Sequence, residues 1–161
     1  MGRIAREIVI DVPPEKVFAL LAQPERLPEW TPGVIAVLMT SPGPVGVGST
    51  TETLVEAFGM RQKLIGRCNV FEPPKRLVVH NETAGGISVG GVSIGKVSST
   101  SASELLPEGS GTRLRASFEF KLSAGLLTSL AESVAGPTME RDFDQSLKNL
   151  KQLLERPASS G

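Results

Sequence analysis

The sequence predicts an α+β fold: a seven-stranded antiparallel sheet wrapped around a long C-terminal helix, with two short helices between the first and second strands. Three observations carry this. From Pro137 to Glu155 the residues Met139, Phe143, Leu147, Leu150 and Leu154 recur at steps of four, four, three and four, which draws one apolar stripe along a helix of 3.6 residues per turn. Upstream, seven segments have β composition, several of them alternating between apolar and polar residues. Short turns rich in Gly and Pro join those segments, which favours consecutive antiparallel hairpins. A sheet with one apolar face and a helix with one apolar stripe bury each other in two layers.

In chain order, Arg3 to Asp11 reads as the first strand, with Ile4, Ile8 and Ile10 on one face, Arg6 as the exception on that face, and Glu7 and Asp11 opposite. Pro13-Pro14 ends it and opens a short helix to about Gln23, with Val17, Phe18, Leu20 and Leu21 apolar. Pro24 and Pro28 bracket a second, very short helix that ends at Trp30. Val34 to Thr40 is the second strand and Ser49 to Phe58 the third. The SPGPVGVG turn between them has the look of a phosphate loop. Such loops need a helix N-terminus after them, and a strand follows here, so a hairpin connection is expected. Met60 to Phe71, Arg76 to Thr83, Lys96 to Leu106 and Thr112 to Lys121 complete the strands, and Ala84 to Gly95, with five glycines, reads as a mobile loop. The final helical region begins near Ser123, and Gly136-Pro137 is expected to kink or break it before the long stripe. Residues 1–156 are expected to form one domain and 157–161 a flexible tail.

Composition removes several function classes. Seventeen basic and seventeen acidic residues leave no net field to attract nucleic acid or an anionic membrane. With six Phe, one Trp and no Tyr, a stacking platform for single strands is not expected either. One Cys and one His leave only scattered carboxylates for a metal, so neither a metal site nor a cofactor is expected. No apolar run approaches the roughly 20 residues that cross a bilayer, and Glu7 and Asp11 inside the first apolar stretch argue against a signal peptide. The expected compartment is the cytoplasm, where the Asn81-Glu82-Thr83 sequon is idle.

Alternation assigns an inner face to each strand: Thr51, Thr53, Val55 and Ala57; Gln62, Leu64, Gly66, Cys68 and Val70; Leu77, Val79 and Asn81; Val97, Ser99, Ser101, Ser103 and Leu105; Leu114, Ala116, Phe118 and Phe120. This lining has no carboxylate, histidine or lysine. Its hydroxyls and amides would each cost about 1–3 kcal/mol if buried without a partner. They suit a wet or ligand-filled hollow, where a few polar groups orient an apolar molecule. The competing reading makes the serine-rich sixth strand a solvent-facing edge. His80 falls on the outer face, away from any nucleophile. Cys68 lacks a basic partner and reads as a small buried hydrophobe, and Glu72 and Glu82 read as solvated. Trp30 suits core packing and ligand contact equally. Met139 and Phe143 suit the core or a pocket wall, and Asp142 at the stripe's edge suits the surface or a cavity mouth. No catalytic residue is assigned. The ligand-contact candidates are Trp30, Thr53, Gln62, Leu64, Asn81, Ser101, Ser103, Phe118, Met139 and Phe143.

The stretches PPEKVFALLAQPERLPEWTPGV (Pro13 to Val34), GPVGVGS (Gly43 to Ser49), FEPPKRL (Phe71 to Leu77), GSGTRL (Gly109 to Leu114) and LKNLKQLLE (Leu147 to Glu155) together resemble the START-like helix-grip superfamily, also called SRPBCC or pollen-allergen-like. More narrowly the chain resembles the bacterial polyketide cyclase/dehydrase and lipid-transport family. The resemblance implies a sheet gripping the last helix around a hydrophobic cavity, with the glycine-rich loop near its mouth. It supplies no shared catalytic residue. The preferred reading is a binder or carrier of a small hydrophobic molecule of lipid, polyketide or aromatic type. The alternatives are a cyclase, aromatase or dehydrase that uses the same cavity, and an accessory subunit of a larger complex. A homodimer is left open.

Overall fold

The computed structural model describes residues 2–57, 59–89, 92–122 and 128–156, and the expected tail at 157–161 lies outside them. The chain runs β1 (Gly2–Ile10), α1 (Pro14–Leu21), a 3-10 helix (Pro24–Glu29), β2 (Val34–Met39), β3 (Thr50–Ala57), β4 (Met60–Glu72), β5 (Arg76–Thr83), β6 (Ile87–Val89), β7 (Val92–Gly95), β8 (Val97–Glu108), β9 (Gly111–Leu122) and α2 (Thr128–Glu155). Seven strands form one antiparallel sheet in the order β1-β9-β8-β5-β4-β3-β2. The first strand reaches β9 because the intervening meander returns to it, and α2 packs beside β1 and β9.

Three details depart from the sequence reading. First, α2 is one 28-residue helix with Pro137 inside it. An interior proline costs about 3 kcal/mol, so the helix continues against local propensity. Second, the glycine-rich segment after β5 is not all loop, because β6 and β7 pair as a separate two-stranded sheet. Third, a bulge in β4 between Cys68 and Val70 inserts one residue. Past it every side chain changes face. Val70 opposes Val78 on the convex side, and Phe71 opposes Leu77, turns inward and meets Phe18 edge-on at 5.3 Å. The competing reading of the serine-rich strand as an edge falls away, because β8 pairs β5 on one side and β9 on the other, and the serine row lies in the interior of the sheet.

The core joins β1, α1, the strand centres and α2. Ile10, Val17, Leu105, Leu114 and Leu150 are at most 2% exposed, and Phe18, Leu77 and Leu147 pack among them. The stripe on α2 is as the spacing requires, with one polar member: Ser146 is buried and donates to the Asp142 carbonyl at 2.8 Å, the local bond open to a helical serine. Arg6, the exception in the β1 pattern, stands opposite Ala116 on the concave face. From there it reaches Asp144 at 2.8 Å and Glu140 at 3.6 Å on α2. Further along, Lys151 donates to the Val9 carbonyl.

Glu155 closes this seam by accepting the Asp11 N–H at 2.8 Å and pairing with Lys151 at 2.7 Å. The Asp11 N–H first, then Lys151, holds its carboxyl below the usual carboxylate range. A carboxylate depressed in the folded state gives stability above its unfolded pKa and loses it as pH falls through the folded value. Glu155→Gln is therefore expected to be less stable than wild type at neutral pH. The difference should close between about pH 5 and pH 3. Urea midpoints measured across that range test this, and a difference that does not change with pH would refute the tie.

Candidate functional site

Between the concave face and α2 lies a cavity of about 360 Å³, within the range of small-molecule sites and near its lower end. Its walls come from four places. The sheet supplies Thr51, Thr53, Cys68, Leu77, Val79, Asn81, Ser101, Ser103, Leu114, Ala116 and Phe118. The helix α2 supplies Met139, Asp142, Phe143, Ser146, Leu147 and Leu150. The end of α1 and the 3-10 helix, with the turn after it, supply Leu21, Pro24, Leu27, Trp30, Thr31 and Pro32. The end of β2 adds Met39, and the β2–β3 connection adds Val45 and Ser49.

Local geometry explains the polar floor. Gly66 on β4 opposes Thr51 on β3 and Asn81 on β5. A Cβ at Gly66 would sit 2.4 Å from Thr51 Oγ1 and 2.6 Å from Asn81 Oδ1. Glycine thus leaves a notch that the two polar side chains lean into from either side. The β2–β3 connection is tied to the sheet through the Gly48 N–H to the Cys68 carbonyl at 2.8 Å and the Cys68 N–H to the Ser49 carbonyl at 2.9 Å. The positive φ of Gly43 and Gly48, 81° and 89°, suits the turn that glycine permits. This is a hairpin connection at the cavity wall and opens no helix.

Of the ten sequence-derived contact candidates, the cavity brings together Trp30, Thr53, Asn81, Ser101, Ser103, Phe118, Met139 and Phe143. Phe118 and Phe143 meet across it with ring centroids 6.3 Å apart. Gln62 and Leu64 do not line it. Leu64 opposes Thr53 and Thr83, so it shares the concave face, but it and Gln62 lie further along β4 toward the β3–β4 turn. Reasoning strand by strand missed Thr31, Pro32, Val45 and Ser146. All four lie outside strands, and the first three are on turns, where alternation gives no signal. Ser146 was visible as a polar residue at stripe spacing, one position before Leu147.

Among the described residues the cavity lining is neutral but for Arg67 and Asp142, both exposed. Arg67 opposes His80, on the convex side, so its side chain leaves the cavity. Asp142 lies where the cavity meets solvent, the mouth position open to it from sequence. It comes from α2, and the sheet residues on the lining include no carboxylate among the described residues. Burial pushes the Cys68 thiol up, which keeps it protonated and unreactive. His80 contacts Thr100 at 2.9 Å and Glu82 at 3.2 Å, a hydroxyl–imidazole–carboxylate chain. It lies on the convex face of a strand paired on both sides. The backbone N–H groups there are committed to the ladder and offer no oxyanion hole. Among the described residues no group of His, Cys, Asp and Glu could hold a metal.

Fold and cavity together define a helix-grip protein: a curved antiparallel sheet closed over a hollow by one long helix. The chain belongs to the polyketide cyclase/dehydrase and lipid transport family, whose model matches residues 1–155. Among solved structures, a protein from Thermus thermophilus, TTHA0849, superposes with a TM-score of 0.76 at 18% identity, covering 98% of this chain and 100% of that one. A START superfamily protein from Mycobacterium smegmatis gives 0.68 at 13% identity, covering 96% and 97%. Ara h 8.0201 gives 0.66 at 13% identity, covering 95% and 97%. These likenesses establish the fold. No curated protein matches the chain.

Proposed function

We propose that this protein binds one small hydrophobic molecule in the cavity between sheet and α2, and holds or carries it without reacting with it. The observation behind this is the lining. Phe118, Phe143, Met139, Leu114 and Val79 supply apolar wall, while Thr53, Asn81, Ser101 and Ser103 supply neutral polar groups inside the sheet. Serines at the centre of a two-layer core would be unfavourable if that core were solid. Beside a hollow they become orienting groups. The family's lipid-transport and cyclase members are compatible with such a use of the fold. The size favours a single compact molecule over a two-chain lipid. Among the described residues no helix is long and apolar enough to cross a membrane. We read the carrier as a single domain working in the cytoplasm.

Asp142 supports a second reading, a cyclase or dehydrase. It is the one carboxylate on the lining among the described residues, and such an enzyme needs a proton donor or acceptor within reach of its substrate. Among those residues no second ionisable carboxyl, imidazole or amine joins it on the lining, so binding is the preferred reading.

The test is occupancy. Native mass spectrometry of the purified protein is expected to show a bound apolar adduct. After the adduct is removed, a hydrophobic-ligand panel is expected to raise Tm. At a hundred times Kd, ligand linkage supplies about 2.7 kcal/mol, or roughly 5–10 °C for a chain of this size. Absence of both adduct and shift would refute the proposal.

A further inference from the structure

Two residues that line the cavity each carry a side-chain polar atom buried without a hydrogen-bond partner: Trp30 Nε1 and Thr31 Oγ1. They are adjacent in sequence, on the turn that follows the 3-10 helix. The Trp30 backbone is fixed to the long helix, since Asn149 Nδ2 donates to its carbonyl at 3.1 Å. Buried polar groups in native proteins are almost always paired, and an exception needs an explanation. An indole N–H is a donor only, whereas a hydroxyl both donates and accepts. What both sites want in common is an acceptor, and the hollow that the two residues line is the space it can come from. The charges at the cavity narrow the choice. Asp142 at the mouth repels an anion, and Arg67, the only lining cation among the described residues, faces the convex side. A carboxylate or phosphate entering here would be desolvated without a counter-charge.

We infer that the cavity's occupant is a neutral, mainly apolar molecule carrying a carbonyl or hydroxyl oxygen at the end that meets Trp30 and Thr31. This rests on the binding reading above and adds the ligand's polarity and orientation to it. In the free protein both atoms are covered, so seating the ligand requires a small turn of the indole. The free form then keeps an unpaired donor, and the bound form satisfies it. A pure hydrocarbon of the same shape fills the apolar wall and leaves the donor unpaired.

Trp30 is the only tryptophan, so its indole N–H gives one isolated resonance in a nitrogen-15 correlation spectrum. Three probes of similar shape separate the contributions: 1-tetralone, tetralin and 1-naphthoate. The ketone is expected to bind at least about fivefold tighter than tetralin, the low end of what an unpaired buried donor costs. It alone should move the indole N–H signal downfield. In Trp30→Phe, which keeps a ring and loses the donor, the ketone-to-hydrocarbon ratio is expected to fall toward one. In Thr31→Val, which keeps the shape and loses the hydroxyl, it is expected to fall part of the way. Equal binding of tetralone and tetralin with an unmoved indole signal would overturn the inference and assign a retained water as the partner. Tightest binding of 1-naphthoate would overturn it in favour of an anion site. A ketone preference that survives both substitutions would place the oxygen elsewhere and overturn it too. Failure of all three probes to bind, together with no adduct in native mass spectrometry, would reject the binding reading itself.

Discussion

Leu150→Ala is expected to destabilise the protein by about 3 kcal/mol, within the 2–5 kcal/mol typical of buried leucine truncations. Leu150 is fully buried, at 0% exposure. It sits in the cluster that joins α2 to Ile10, Val17, Phe18 and Leu105. Truncation removes several methyl(ene) groups from the one place where the helix stripe, the first strand and α1 meet. The neighbouring cavity also works against relaxation. Side chains that closed over the new void would have to leave the wall of an existing one. For a domain whose whole stability is of order 5–15 kcal/mol, the loss is large enough to read in a urea midpoint, and it corresponds to a fall in Tm of roughly 6–12 °C. Leu154→Ala, at a half-buried position near the end of the same stripe, should cost clearly less. Equal and small effects at the two positions would mean that the sheet does not grip the helix as described.

The sheet and the gripping helix were legible because both rest on periodicity. A stripe at 3.6-residue spacing and strict alternation in β9 each leave one way to bury apolar surface. Even the discord in β1 carried information, since Arg6 falls on the apolar face in order to reach Asp144 and Glu140. What alternation could not show was anything that breaks the period. The extra residue in β4 turned Phe71 inward and Val70 outward, a single-residue slip that no composition signal marks. Pro137 illustrates the opposite limit: a strong local breaker does not end the helix. At the site, the strand-borne candidates on β5, β8 and β9 all reached the cavity, because their register is uninterrupted. Thr31, Val45 and Ser49 lie on turns, where side-chain direction follows from tertiary structure and not from sequence spacing. The orphaned indole N–H belongs to the same class. A tryptophan at a helix end is ordinary in sequence, and only coordinates show that its donor lacks a partner.

Ser103→Phe is expected to weaken ligand binding about a hundredfold while leaving the fold intact. Ser103 lies on β8 between Leu77 and Ala116 and faces the cavity with them. A phenyl ring there replaces a hydroxyl with bulk that projects into about 360 Å³ of open space, so the substitution meets little to displace. Phenylalanine also suits a central strand, and it adds apolar contact to Leu114 and Phe118, its diagonal neighbours on β9. Stability should therefore stay level or rise, in contrast to the usual cost of forcing a ring into a filled core, about 1–3 kcal/mol. Binding moves the other way, because ligand and ring compete for one volume. For N-phenyl-1-naphthylamine, a neutral fluorophore that brightens on leaving water, affinity is expected to fall about hundredfold, ~2.7 kcal/mol. Ser98→Phe serves as the control. It sits on the same strand but opposite Glu82 and Lys121 on the convex face, and it should bind the fluorophore as wild type does. The two readouts separate the possible outcomes. A solid interior would make Ser103→Phe unstable, and binding somewhere other than the cavity would leave both variants equally able to bind. Only a hollow that serves as the binding site gives a stable protein in which the ring on the concave face, and not the one on the convex face, excludes the probe.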